Sequence, residues 1–64
     1  MTTTEAQEYG YAVESYGGGF ILCDYSGKRG KFGAAYRGKD GEWRSQPIGM
    51  TPFATEEMAW ATAE

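Results

Sequence analysis

Six cationic side chains, Lys28, Arg29, Lys31, Arg37, Lys39 and Arg44, fall within residues 28–44, and the 64-residue chain has no other Lys or Arg. Such groups pair with carboxylates and phosphates, or lie over aromatic faces. Phe32, Tyr36 and Trp43 interleave with them, so cations and stacking rings are offered together. Only Asp40 and Glu42 oppose the cations, which leaves the segment at +4, the remainder at −7 and the chain at −3. Lys28, Arg29, Lys31, Tyr36, Arg37, Lys39, Trp43 and Arg44 therefore form the candidate partner-binding set.

Catalytic chemistry has little to draw on. The chain lacks His, the commonest general base near neutral pH. Its single thiol, Cys23, lies in the most apolar stretch, whereas a reactive thiol needs an electropositive and partly exposed setting. Cys23 is read as structural. Glu56 and Glu57 are adjacent and do not share a helix face, so they read as charge at a helix start. One Cys without His falls short of the four ligands of a structural zinc site, and a disulfide within the chain is impossible. Residues 33–40, GAAYRGKD, approach the phosphate-loop pattern GxxxxGK[ST] but place Asp40 at the hydroxyl position, in a strand-and-turn context. The expectation is a protein without enzymatic activity, catalytic residues, cofactor or metal.

The elements that must position these groups follow from periodicity. Residues 1–8 are polar and aperiodic and read as a flexible tail; residues 9–64 read as one small domain. Tyr9, Tyr11 and Val13 alternate in a half-buried strand. Gly17-Gly18-Gly19 then reverses the chain. Residues 20–25, FILCDY, are apolar on both faces, the mark of a central strand covered on both sides. Residues 31–37 alternate Phe32, Ala34 and Tyr36 with basic and small residues. A turn at Asp40-Gly41 leads to a short edge strand over residues 42–45. Thr55 can cap a C-terminal helix with two carboxylates in its first turn. That helix is too short to stand alone. It is expected to dock through Ala59 and Ala63, with Met58 or Trp60, on the sheet face bearing Phe32 and Tyr36. The fold class is α+β: an antiparallel meander of three to four strands with one short C-terminal helix on a face.

A chain this short buries only about 60% of its unfolded surface, so its stability should come from aromatic packing or self-association. No run approaches the roughly 18 apolar residues of a membrane-spanning helix. The N-terminal residues lack the basic and apolar regions of a signal peptide. A lone Cys suits a reducing compartment. A soluble cytoplasmic protein with no membrane partner is expected.

Three strands followed by a helix, with residues 52–60 reading PFATEEMAW, resembles the DNA-reading domain of some phage integrases over about half of the chain. That resemblance implies a nucleic-acid-binding accessory module using the basic aromatic hairpin 28–44. The acidic balance, pI near 4.8, points the other way. Charge segregation and more Tyr and Trp than a small core can hide favour protein recognition. Tyr9, Tyr11, Tyr16, Tyr25, Trp43 and Trp60 are the candidate contact rings. The leading expectation is a small protein-binding module, an inhibitor of a host machine of the anti-CRISPR-like kind that phages and mobile elements encode. Its partner would be a host protein or a protein–nucleic-acid complex, and a homodimer completing its core is a further option.

Overall fold

In the computed structural model, which describes residues 2–29 and 33–63, the chain runs α1 (Thr3–Tyr9), β1 (Tyr11–Tyr16), β2 (Gly19–Asp24), β3 (Ala35–Arg37), β4 (Trp43–Arg44) and α2 (Glu56–Ala61). The strands form one antiparallel meander in the order β1-β2-β3-β4. The expected α+β architecture, with a short helix at the C-terminus, is what the chain adopts.

The first element differs from the expected tail over residues 1–8. A helix forms there because Thr2 and Glu5 make a capping box: Thr2 Oγ1 accepts the Glu5 N–H at 3.1 Å, and Glu5 Oε1 accepts the Thr2 N–H at 2.9 Å. Reciprocal bonds of this kind satisfy donors that a helix start otherwise leaves open. Gly10, at φ 121°, ends the helix by donating to the Ala6 and Gln7 carbonyls, and β1 starts one residue later. Positive φ at such a terminus suits glycine alone at low cost.

Gly17 and Gly18 both take positive φ (52° and 84°) between Tyr16 and its register partner Gly19. Two consecutive positive φ values make the tight turn whose twist matches a hairpin. The β3–β4 turn closes with the Gly41 N–H on the Gly38 carbonyl at 3.1 Å, and Gly41 alone of that turn has positive φ. β3 is shorter than the expected strand over residues 31–37; Lys31 and Phe32 lie outside the described residues.

β2 is the most buried strand, as its two apolar faces require, with Leu22 and Cys23 at 0% exposure. On one face Leu22 and Tyr11 pack with Ala6 of α1 and with Ala63, beside Tyr9, Val13, Trp43 and Trp60. On the other, Ile21 and Cys23 pack with Met50, beside Ala12, Tyr16 and Tyr36. The helices therefore cover the Tyr11–Leu22–Trp43 face and not the Tyr36 face expected from sequence. Ala59 and Ala63 are buried, as expected, and of the alternatives Trp60 turns inward while Met58 is 45% exposed. The Tyr36 face is covered instead by the loop over residues 45–54, which supplies Met50. That loop is held at the sheet by reciprocal backbone bonds between Phe20 and Phe53 (2.9 and 2.7 Å) and by the Lys39 N–H on the Thr51 carbonyl at 2.7 Å. Glycine permits both approaches: a Cβ on Gly19 would stand 2.4 Å from the Phe53 carbonyl oxygen, and one on Gly38 2.5 Å from that of Thr51.

Candidate partner-binding face

Strand register decides which cations meet which rings. Arg37 stands opposite both Leu22 and Trp43, so it shares the helix-covered face with Tyr11 and Asp24. The turn after β2 returns Lys28 and Arg29 to the same face. There Tyr9 stacks on Tyr11 with centroids 4.7 Å apart, and Tyr11 stacks on Trp43 at 6.2 Å. Cations lie over these rings: Lys28 Nζ is 4.8 Å from the Tyr9 centroid, Arg29 Cζ 4.5 Å and Arg37 Cζ 4.7 Å from that of Trp43. Guanidinium over indole is the strongest common form of this attraction.

Each arginine is also bound elsewhere in the chain. Arg29 Nε meets the Asp24 carboxylate at 2.8 Å, and its Nη2 donates to the Tyr11 hydroxyl at 2.9 Å. The Asp24 side chain is fully buried and also accepts the Ser26 N–H at 2.9 Å. Burial works to lower the Arg29 pKa, but the bonds to Tyr11 and Asp24 outweigh it and raise the value. Arg37 donates to the Thr62 carbonyl at 2.9 Å, at the end of α2, and to the Gly41 carbonyl at 3.1 Å. A cation there faces the negative end of the helix dipole and ties α2 to the sheet. The Trp43 indole N–H is buried without a hydrogen-bond partner among the described residues.

The remaining members of the candidate set are placed apart. Tyr36 and Arg44 are register partners on the opposite face. Tyr36 meets Tyr25 edge-on at 6.5 Å, and Arg44 pairs with Asp40 at 2.6 Å on the open surface. The Arg44 bond holds the Asp40 carboxyl below the usual carboxylate range. Lys39 is exposed at the β3–β4 turn, and Lys31 lies outside the described residues. The structure thus brings together Lys28, Arg29, Arg37 and Trp43 and separates them from Tyr36, Lys39 and Arg44. It adds Tyr9, Tyr11 and Asp24. The sequence signal for Asp24 was a lone acid inside an apolar run, which a buried site accommodates only with a paired cation.

Among the candidate rings Tyr11 is buried, Tyr25 is 46% exposed, and Tyr9, Tyr16, Trp43 and Trp60 are half-buried. The Tyr25 hydroxyl donates to Glu14. Cys23 is buried, and burial pushes its thiol up to about 11. Among the described residues no group of three or more His, Cys, Asp or Glu is placed to hold a metal ion, and no helix is long and apolar enough to cross a membrane.

Open carboxylates share the surface with the exposed Lys28, Lys39 and Arg44. Glu8, Glu42, Glu56 and Glu57 are exposed. Among the described residues their carboxylates have no ion pair, the bridges being Arg29–Asp24 and Arg44–Asp40. No protein-family model, curated protein or solved structure matches the chain.

Proposed function

We propose that the chain is a non-enzymatic protein-binding module whose open carboxylates cover a basic patch on its partner. A small inhibitor of a host machine, anti-CRISPR-like and encoded by a phage or mobile element, fits that description. A cytoplasmic setting suits the reduced Cys23. The observation that carries the reading is the commitment of the arginines. Arg29, Arg37 and Arg44 are bound to Asp24, Tyr11, Thr62, Gly41 and Asp40, while Glu8, Glu42, Glu56 and Glu57 stay open to solvent. Nucleic-acid binding draws its affinity from cations free to displace phosphate counterions. A field dominated by open carboxylates steers a basic protein surface instead. Tyr25, Ile48 and Met58, at 46%, 70% and 45% exposure, supply apolar contact area between the charges.

Affinity capture from host extract tests this reading, with the tagged wild type beside a Glu56→Lys/Glu57→Lys variant. The expected result is one host protein retained at low salt, released by added salt and lost with the variant. Retention of the same protein by both, or of none by the wild type, would count against it.

A further inference from the structure

The sheet ends in two unlike edges. β4 is two residues long, bears Arg44 and is followed closely by Pro47, features that keep an edge from pairing. β1 is six residues long, runs in unbroken register from Tyr11↔Asp24 to Tyr16↔Gly19, and contains no proline or lysine. It lies first in the strand order, so one of its sides meets no other strand among the described residues.

Hydrogen-bond phase identifies the groups on that side. Phe20 exchanges its backbone bonds with Phe53, away from β1, and stands opposite Ser15. Bonded and non-bonded pairs alternate along an antiparallel ladder. Ser15 and Val13 therefore aim their N–H and C=O groups outward. The Tyr25 N–H on the Gly10 carbonyl, at 2.8 Å, fixes the same phase independently. Among the described residues no backbone bond from outside the β1–β2 ladder reaches Val13 or Ser15. Ser15 is exposed and Val13 half-buried.

We propose that β1 is a dimerisation edge, which pairs antiparallel with β1 of a second copy across a twofold axis at Val13 and makes one continuous sheet. Self-complementarity selects both occupant and register. Pairing that sets at least two outward positions of each strand opposite one another allows an axis at Ala12, Val13 or Glu14, whereas an axis at Tyr11 or Ser15 keeps only one. An axis at Glu14 sets two carboxylates opposite each other with Cα atoms about 4.5 Å apart, and like charges so placed destabilise the pair. An axis at Ala12 runs Ser15 past the end of the partner strand, onto Tyr9 of its helix. The axis at Val13 sets Val13 on Val13 and each Glu14 opposite Ala12, which separates the acids. Glu14 is already engaged by the Tyr25 hydroxyl of its own chain. Both copies keep their helices on one side of the joined sheet. Self-association of this isologous kind is the commonest oligomer symmetry and a usual recourse of chains too short for a large core. It rests on the edge geometry and is independent of the open carboxylates.

Sedimentation of the full chain over a dilution series, with amide hydrogen exchange at the same concentrations, tests the proposal. The expected result is a reversible monomer–dimer equilibrium in which the Val13 and Ser15 amides slow by about tenfold or more as dimer forms, while the exposed Gly27 amide is unchanged. Ser15→Pro removes an outward donor and should abolish the dimer; the exchange measurement on wild type stands even if that variant fails to fold. Glu14→Gln should leave the dissociation constant within about twofold, since the acids do not meet. A chain monomeric at millimolar concentration would overturn the proposal. So would a dimer whose Val13 amide still exchanges fast, or one that Glu14→Gln tightens about tenfold.

Discussion

Replacing Arg29 by alanine removes the one cation that faces the buried Asp24 carboxylate among the described residues. The substitution deletes the 2.8 Å contact to Asp24, the 2.9 Å bond to the Tyr11 hydroxyl and the guanidinium over Trp43. Breaking a fully buried ion pair from one side costs about 3–5 kcal/mol. Arg29 keeps 33% of its side chain in solvent and Asp24 retains the Ser26 N–H, so the lower end, about 3 kcal/mol, applies. A domain of this length holds about 3–10 kcal/mol in total. The loss lowers the melting temperature by about 12–24 °C, read by circular dichroism. The Asp24→Asn/Arg29→Ala double variant should be milder than the sum of the singles by about 1–3 kcal/mol, because the uncompensated charge is gone. An Arg29→Ala protein melting within about 2 °C of wild type, or strict additivity in the cycle, would refute the account of this network.

Three further outcomes follow from the same geometry. Cys23, buried and with its thiol pushed up to about 11, should resist a disulfide reagent at neutral pH in the native state and react only on unfolding; rapid native labelling would contradict this. Gly19→Ala puts a methyl 2.4 Å from the Phe53 carbonyl oxygen, and urea titration should show a loss of about 1–3 kcal/mol, as overpacking costs. The Asp40 carboxyl is held low by Arg44, so its contribution is full above the unfolded carboxylate value and disappears as pH falls through the lowered folded one. Stability of wild type and Asp40→Asn should therefore converge in acid, and also in high salt at neutral pH.

The sheet was legible because its signals are local. FILC is apolar on both faces, the glycine run allows one kind of reversal, and Thr55 stands just before two acids at a helix start. α1 went unseen because only Ala6 of Thr3–Tyr9 is buried, too little for an apolar period, although Thr2 and Glu5 spell a capping box. The face chosen by α2 was not readable for a different reason. Leu22 and Ile21 point to opposite sides and are equally apolar, so the outcome rests on where Met50 and the loop over residues 45–54 return. The candidate site shows the same division. Its residue types were visible, but the Arg29–Asp24 and Arg37–Thr62 bonds join positions whose meeting depends on the whole meander. A cluster of cations in sequence thus became, in space, a set of arginines tied within the chain at Asp24, Thr62 and Asp40, with Lys28 and Lys39 at the surface.

Fluorescence anisotropy of labelled single-stranded and duplex oligonucleotides, titrated with the protein at low salt, tests that arrangement most directly. The account predicts no saturable binding to either strand form. Saturable binding whose affinity falls steeply as salt rises would mean that the arginines are free to meet phosphate, and would contradict it.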